Sequence, residues 1–305
     1  TDYFRLKNIY HSNAIEGNLL SLGETQLVIQ EGLTITGKPL KDSIEVKNLS
    51  TALDFFETLA NREGQPVTTQ DIKNIHACIL KGIDDPNAGA YRSVFVEISG
   101  SKHRPPDPAC IPVMMEDLGD WLRRVSDISS VSQDSIDPVV LACVAHAWLV
   151  HIHPFIDGNG RTARLLMNLL LIRRGYPLAI ITKDERQRYY DALEESDEGG
   201  DLTPFLRLVL ESVDDSIEVY EHAARTQLDL QQFVQSLVRE KESLLRNEYE
   251  VFRAAMLLFK GYFAQVVQMY DDRIKETGSV DEDRIGFKDF GVLEYDKYHG
   301  LRISQ

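Results

Sequence analysis

Residues 153–164 read His-Pro-Phe-Ile-Asp-Gly-Asn-Gly-Arg-Thr-Ala-Arg and join two segments that are helical in pattern. Before this loop, residues 139–150 are apolar on nearly all sides, which is typical of a buried central helix. Asp137-Pro138 predicts where that helix begins, and His153-Pro154 predicts its end, because a residue before proline avoids the helical conformation. A second helix is predicted over 161–174, ending at Gly175. Two helices joined by this loop predict an all-α core.

The loop combines several features of an anion site. The start of a helix offers unpaired N–H groups and partial positive charge. Gly158 and Gly160 let the backbone approach a ligand closely, and Asn159 between them can donate to a phosphate oxygen. Arg161 and Arg164 are three residues apart on the first turn, so both can face the same anion. We therefore predict that the loop binds a polyphosphate.

Two more residues of the loop add chemistry to this anion site. Asp157 offers a hard oxygen ligand suited to Mg²⁺, and His153 at the rim can accept a proton from an attacking hydroxyl. Each feature alone is more typical of a turn, a solvated arginine pair or an ordinary histidine, but their occurrence within twelve residues favours a site. His146 and His151 lie on the predicted buried helix, and we expect both to be packed core side chains.

The rest of the chain is predicted to be helical, with one exception. Residues 91–98 alternate and are rich in β-formers, and Ser99-Gly100-Ser101 follows, which predicts a small β-hairpin flap between helices. Near the C-terminus, apolar residues recur at spacings of four and three, which predicts a long helix packed along its own domain or, alternatively, a surface for a partner or a homodimer. These residues are Leu245, Tyr249, Phe252, Met256, Phe259, Phe263, Val266 and Tyr270.

Composition narrows the function classes. The 305 residues carry a formal net charge of −15, which argues against a nucleic-acid partner because phosphate contacts need a basic face. A membrane-spanning helix needs about 18 or more consecutive apolar residues, and we expect none here. The three cysteines, Cys78, Cys110 and Cys143, are scattered and predict neither a disulfide framework nor a zinc cluster. We expect a protein of a reducing compartment, the cytoplasm.

A second signature lies far upstream, in Ser12-Asn13-Ala14-Ile15-Glu16-Gly17-Asn18. Ser12 and Glu16 are four residues apart and so share a helix face. Glu16 lies in the last turn before Gly17, where the helix dipole favours cations rather than a carboxylate. Its position against the local electrostatics favours a functional role, although a solvated surface glutamate is the ordinary alternative.

From His153 to Arg164 the sequence resembles the Fic family, whose motif His-x-Phe-x-Asp/Glu-Gly-Asn-Gly-Arg-x-x-Arg is complete here. The resemblance covers roughly residues 1–222, including the flap from Gly89 to Gly100 and Pro105-Pro106. It implies an all-α Fic-type core and a Mg²⁺-dependent transfer of AMP from ATP to a Ser, Thr or Tyr hydroxyl of a target protein. It also implies three parts: an N-terminal helical segment over 1–60, a catalytic core over 61–222 and a C-terminal helical extension over 223–305.

The resemblance also implies roles for individual residues. His153 would be the base and Asp157 the metal ligand, and the phosphates would be held by Gly158, Asn159, Gly160, Arg161 and Arg164. Tyr189 and Tyr190 resemble adenine-pocket tyrosines, and Asp197 stands where relatives often carry Asn. The flap residues that would border the target segment and the nucleotide are Val96, Ile98, Ser99 and Gly100.

The upstream signature resembles the inhibitory Ser/Thr-x-x-x-Glu-Gly/Asn helix of autoinhibited Fic enzymes, within about residues 3–18. In that interpretation Glu16 pairs with Arg164 and takes the position of the γ-phosphate. Three alternatives stay open: transfer of another phosphate-containing group, removal of AMP with Glu16 positioning water, and a nucleotide-sensing interaction protein.

Overall fold

The computed structural model describes residues 2–62, 64–98, 101–126, 136–277, 291 and 293–297. Within these ranges the chain is built from helices, and the longest connection between them is residues 81–110. They are α1 (Asp2–Ile15), α2 (Leu22–Glu31), α3 (Leu40–Ala60), α4 (Thr69–Leu80), α5 (Ile111–Ser126), α6 (Pro138–Ile152), α7 (Asn159–Arg173), α8 (Arg186–Gly199) and α9 (Thr203–Thr277). The prediction of an all-α fold is confirmed for the described residues.

The chain divides into two units, residues 1–221 and residues 222–305. In the first unit α6 packs along α7, and both helices contribute fully buried side chains to one hydrophobic core. Helices α3 and α4 pack against each other and against α7, and α1 and α2 pack on α3. This arrangement places the end of α1 and the start of α7 close together.

Local sequence signals explain the ends of the central helices. The Asp137 carboxylate accepts from the N–H groups of Val139 and Val140, and Pro138 occupies the first turn, so α6 begins where the sequence predicts. The helix ends at Ile152, and His153 caps it with a left-handed backbone of φ 46° and ψ 59°. Such a conformation is uncommon for a residue with a Cβ atom.

The predicted β-hairpin flap is wrong. Residues 91–98 form neither strand nor ladder, and no strand occurs elsewhere in the described ranges. A β-hairpin needs two neighbouring strands that exchange backbone hydrogen bonds. Here the backbone N–H of Arg92 donates to the Pro154 carbonyl at 2.9 Å instead. The Arg92 side chain donates to the carbonyls of His153, Val94 and Pro106, so one guanidinium organises the segment.

Helix α9 carries the apolar seam predicted near the C-terminus, and it continues beyond the seam's last residue. In the second unit several seam side chains are exposed, among them Met256, Phe259 and Tyr270, while the Tyr249 ring packs edge-on against Tyr295. Whether the seam joins two copies of the chain stays a prediction. Among the described helices, none combines the length and the apolar character that a bilayer-spanning segment requires.

Candidate active site

The loop between α6 and α7 is built around a left-handed glycine. Gly158 caps α7 with φ 77°, a conformation that favours residues without a Cβ atom. A Cβ atom at this position would lie 3.3 Å from the His76 ring, so space also restricts the residue. The Thr162 hydroxyl donates to the Gly158 carbonyl at 2.8 Å, which fixes the first turn of α7 behind the glycine.

His76 on α4 braces this loop, a role that the sequence analysis missed. Its Nδ1 accepts from the Gly89 N–H at 2.9 Å, so its Nε2–H donates to the Asp157 carbonyl at 2.8 Å. The ring stacks on Phe155 with centroids 3.7 Å apart. Burial lowers the pKa of His76 to about 4, so it is neutral near pH 7. The available signal was a histidine on the apolar face of α4, between Ile72 and Ile79.

Asn159 also supports the loop from within. Its Nδ2 donates to the Phe155 carbonyl and its Oδ1 accepts from the Phe155 N–H, both at 2.9 Å. The side chain is buried and closes a reciprocal pair across the loop. In this structure the amide therefore shapes the turn before α7, and direct contact with phosphate stays a prediction.

Arg161 is held by a carboxylate on α3 that the sequence analysis also missed. Its Nη1 donates to Glu45 Oε1 at 3.1 Å, and the Arg161 side chain is only 2% exposed. The second Glu45 oxygen accepts from Asn18 Nδ2 at 3.0 Å. One buried carboxylate thus links the first turn of α7 to Asn18, which lies in the loop after α1. The signal was a glutamate four residues before Leu49 on the buried face of α3.

Arg164 meets the N-terminal segment directly. Its Nη2 lies 2.7 Å from Glu16 Oε1 and donates to the Ser12 carbonyl at 2.8 Å, while its Nε donates to Ser12 Oγ at 3.0 Å. The arginine is buried. Burial alone would lower the pKa of Arg164, but the charge of Glu16 and the contact with Tyr189 raise it above its ordinary value. The contact stabilises the guanidinium in its charged form.

Glu16 closes over the start of α7. A Cβ atom on Gly160 would lie 2.6 Å from Glu16 Oε1 and 3.0 Å from Arg164 Nη1. The carboxylate therefore packs directly on the first turn, in the region that the N–H groups of a helix start present to an anion. Glycine at position 160 is what allows this close approach.

His153 follows the last turn of α6 at the mouth of the loop. Its carbonyl accepts from Arg92 Nε at 2.8 Å, which ties the backbone of His153 to residues 91–98. Burial lowers the pKa of His153 to about 4, although the Val150 carbonyl favours the protonated ring. The imidazole is therefore neutral near pH 7, which is the state that can accept a proton.

The Asp157 side chain is 52% exposed beside the start of α7. Its Oδ1 accepts from the Gly158 N–H at 2.6 Å and lies 3.5 Å from Arg161 Nη2. An accessible carboxylate beside a helix start that offers N–H groups to an anion fits Mg²⁺, which prefers one or two carboxylates together with substrate phosphates.

The two predicted adenine-pocket tyrosines differ in exposure. Tyr189 is buried, and its hydroxyl lies 3.0 Å from His146 Nε2 and 3.4 Å from Arg164 Nη1. Tyr190 is 36% exposed and its hydroxyl donates to the Ile15 carbonyl at 3.3 Å. Tyr189 thus packs beside the Arg164 guanidinium in the core, and Tyr190 contacts the last residue of α1.

Asp197 on α8 is engaged by two histidines. Its Oδ1 lies 2.8 Å from His151 Nδ1 and its Oδ2 lies 3.2 Å from His103 Nδ1. The expectation for His146 is met, since that residue is fully buried. The expectation that His151 is a core side chain is wrong, because its side chain is 46% exposed at the end of α6.

The predicted flap residues divide into two groups. Val96 and Ile98 are half-buried in a segment without regular secondary structure, and the Ile98 carbonyl accepts from the Ser101 N–H at 3.1 Å. Ser99 and Gly100 lie outside the described residues.

Together, the fold and the site define a class of all-α proteins in which a glycine-rich loop joins two buried helices and presents arginines at a helix start. The Fic/DOC family model matches residues 66–171, which include this loop.

Curated relatives agree with this family match. The protein adenylyltransferase Fic of Aedes aegypti is 37% identical over 215 residues, covering 70% of this chain and 41% of that protein. The Fic protein of Nematostella vectensis is 38% identical over 218 residues, covering 72% and 48%. The chain spans less than half the length of these two relatives.

Solved structures give the same result. Fic-1 (residues 134–508) from Caenorhabditis elegans aligns with a TM-score of 0.66 and 36% identity, covering 74% of this chain and 64% of that one. A Fic-domain signalling protein from Bacteroides thetaiotaomicron aligns with a TM-score of 0.61 and 32% identity, covering 70% and 81%. The chain belongs to the Fic/DOC family.

Proposed function

We propose that this protein transfers AMP from ATP to a Ser, Thr or Tyr hydroxyl of a target protein. The observation that carries the proposal is the meeting of two groups at one loop: a neutral His153 at the end of α6 and the arginine-bearing start of α7. Relatives that align over most of this chain bear the name protein adenylyltransferase. That name supports the same chemistry here.

His153 acts as the general base. It takes the proton of the target hydroxyl, and the hydroxyl oxygen forms a bond to the α-phosphorus of ATP. The bond between the α-phosphorus and the pyrophosphate oxygen breaks, and pyrophosphate leaves. A positioned general base contributes about 10²–10⁴-fold to the rate of such a step.

The start of α7 holds the phosphates. Its N–H groups and the two arginines stabilise the negative charge that develops during transfer. Asp157 would hold Mg²⁺, which when bound neutralises phosphate charge and orients the leaving group. His76, Asn159 and Glu45 keep the loop and Arg161 in place, so the geometry exists before ATP arrives.

Two further assignments belong to the proposal. Val96, Ile98 and the residues after them align the target backbone beside the site, by adding an extended segment to this one. Glu16 restrains the enzyme, because it occupies the Arg164 guanidinium that would otherwise receive the γ-phosphate. We place the protein in the cytoplasm.

Isotope position in ATP tests the chemistry. The purified chain carrying Glu16→Gly is incubated with Mg²⁺ and either α-³²P- or γ-³²P-labelled ATP. AMP transfer leaves the α-label on protein and adds about 329 Da to an auto-modified chain by mass spectrometry. The matched control adds His153→Ala to the same variant and should remain unlabelled.

The other activities give different outcomes. Label from the γ-position would show phosphate transfer, and labelling that requires a different nucleotide would show another transferred group. Tight ATP binding without any labelling of the chain or of cell-lysate proteins would support a nucleotide-sensing protein. Each of these results would overturn the proposal.

A further inference from the structure

A cluster of three potential metal ligands lies outside the catalytic loop. It comprises His103, His151 and Asp197, whose ligand atoms all lie within 4.8 Å of one another. The three residues come from three elements: the segment that follows residues 91–98, the end of α6, and α8. Three donor groups that meet from separate elements form a candidate cation site.

The contacts of His103 indicate which of its two ring nitrogens faces a cation. Its Nε2 lies 2.9 Å from the His151 carbonyl oxygen, which can only accept, so Nε2 carries a hydrogen. In the neutral ring Nδ1 then presents a lone pair, yet it faces Asp197 Oδ2 at 3.2 Å. Two acceptors at this distance repel unless a proton or a cation lies between them.

We propose that His103, His151 and Asp197 form a site for a divalent transition-metal ion of the Zn²⁺ class. Two imidazole nitrogens and one carboxylate suit Zn²⁺, Co²⁺, Ni²⁺ or Cu²⁺ better than Mg²⁺, which prefers oxygen ligands. Metal-binding histidines almost always donate their other ring N–H to a carbonyl or carboxylate, and His103 already does so.

The dimensions fit with small side-chain movements. Ligand atoms about 2.0–2.1 Å from a tetrahedral zinc lie roughly 3.3 Å apart. The two histidine–carboxylate distances here are 2.8 and 3.2 Å, one to each Asp197 oxygen, and the three ligand atoms lie within 4.8 Å of one another. The exposed fraction of the side chain is 8% for His103, 17% for Asp197 and 46% for His151, so an ion can enter from the His151 side and retain water as a fourth ligand.

Such an ion would connect three parts of the protein. It would tie the segment containing His103 to α8 and to the end of α6. Its ligand on α6, His151, lies two residues before His153 in the sequence. This inference does not depend on which group the enzyme transfers, because it concerns only the binding of a metal.

Zinc binding by the purified chain tests the site. ZnCl₂ is titrated in competition with a chromophoric chelator, without nucleotide or Mg²⁺. We expect one equivalent of Zn²⁺ to bind, and His103→Gln, His151→Gln and Asp197→Asn each to weaken its affinity at least about tenfold, as even loss of an outer partner typically does. The matched controls are His222→Gln, an exposed histidine on α9, and Asp157→Asn; both should keep the wild-type affinity.

X-ray absorption of the zinc-loaded wild-type chain provides a second measurement that needs no variant. A first shell containing two imidazole nitrogens supports the site, and a shell without imidazole overturns it. Equal zinc affinity in the wild type and His151→Gln also overturns it, and then the cluster holds a proton between its histidines and Asp197.

Discussion

Replacing Glu16 by glycine should raise the rate of AMP transfer even at saturating ATP, because it removes the carboxylate that competes with the γ-phosphate of bound ATP for Arg164 and so increases the productively bound fraction. The two side chains lie 2.7 Å apart, and Arg164 is buried. The substitution leaves both Ser12 contacts to the guanidinium in place. It therefore changes one interaction at the arginine and keeps the rest of its support.

The size of the effect follows from the exposure of the pair. A hydrogen bond between charged groups contributes about 1.5–3 kcal/mol. The Glu16 side chain is 31% exposed, so solvent screens the pair and about 1–2 kcal/mol is the more suitable range. At about 1.4 kcal/mol for each factor of ten, the rate should rise roughly five- to thirtyfold.

The assay compares initial rates of α-³²P incorporation at saturating ATP and Mg²⁺. Glu31→Gly is the matched control, since Glu31 is an exposed glutamate in the last turn of α2. It should leave the rate unchanged. An equal or lower rate for Glu16→Gly, with an unchanged circular dichroism spectrum, would refute the competition between Glu16 and ATP.

Three other outcomes are expected. Ser12→Ala should raise the same rate about two- to fivefold, less than the Glu16 variant, because it loses one hydrogen bond to Arg164 and keeps the carboxylate. Glu45→Gln should lower the free energy of unfolding by about 3 kcal/mol in urea titrations, since it removes the buried carboxylate at Arg161 and leaves only the longer contact to the half-exposed Asp157. Burial lowers the pKa of His146 from 6.5 in the unfolded chain to about 3, so the free energy of unfolding should fall as the pH drops below about 6.5. His146→Gln should reduce this dependence of the unfolding free energy on pH by up to about 1.4 kcal/mol per pH unit. Urea unfolding midpoints at pH 7, 6 and 5 measure the difference.

Short-range signals made much of the helical core predictable. The N-cap of α6 at Asp137, the capping box of α4 at Thr68 and the glycine turn at Gly158 each act over a few residues. Such signals can be read from sequence because both partners lie within one turn of helix. The loop residues were therefore located correctly between two helices.

The supports of the loop were not predictable, because their partners are distant in sequence. His76 contacts Asp157 across 81 residues, and Glu45 contacts Arg161 across 116. A buried histidine or glutamate in an amphipathic helix gives no indication of which residue it meets. The prediction of a hairpin was wrong for the same reason. Alternation in residues 91–98 indicates β-propensity, but a strand also needs a neighbouring strand as its partner. Here the Arg92 side chain donates to backbone carbonyls of His153 and Val94 instead.

The contacts of Arg164 also constrain how the protein is made. Its bonds to Ser12 and Glu16 span 152 and 148 residues of chain. A ribosome adds about 5–20 residues per second, so roughly 7–30 s pass between the synthesis of α1 and the synthesis of Arg164, which binds it. During that interval Ser12, Glu16 and Glu45 lack their arginine partners. The contact between Glu16 and Arg164 therefore cannot form before the first turn of α7 has been synthesised, although α1 is made much earlier.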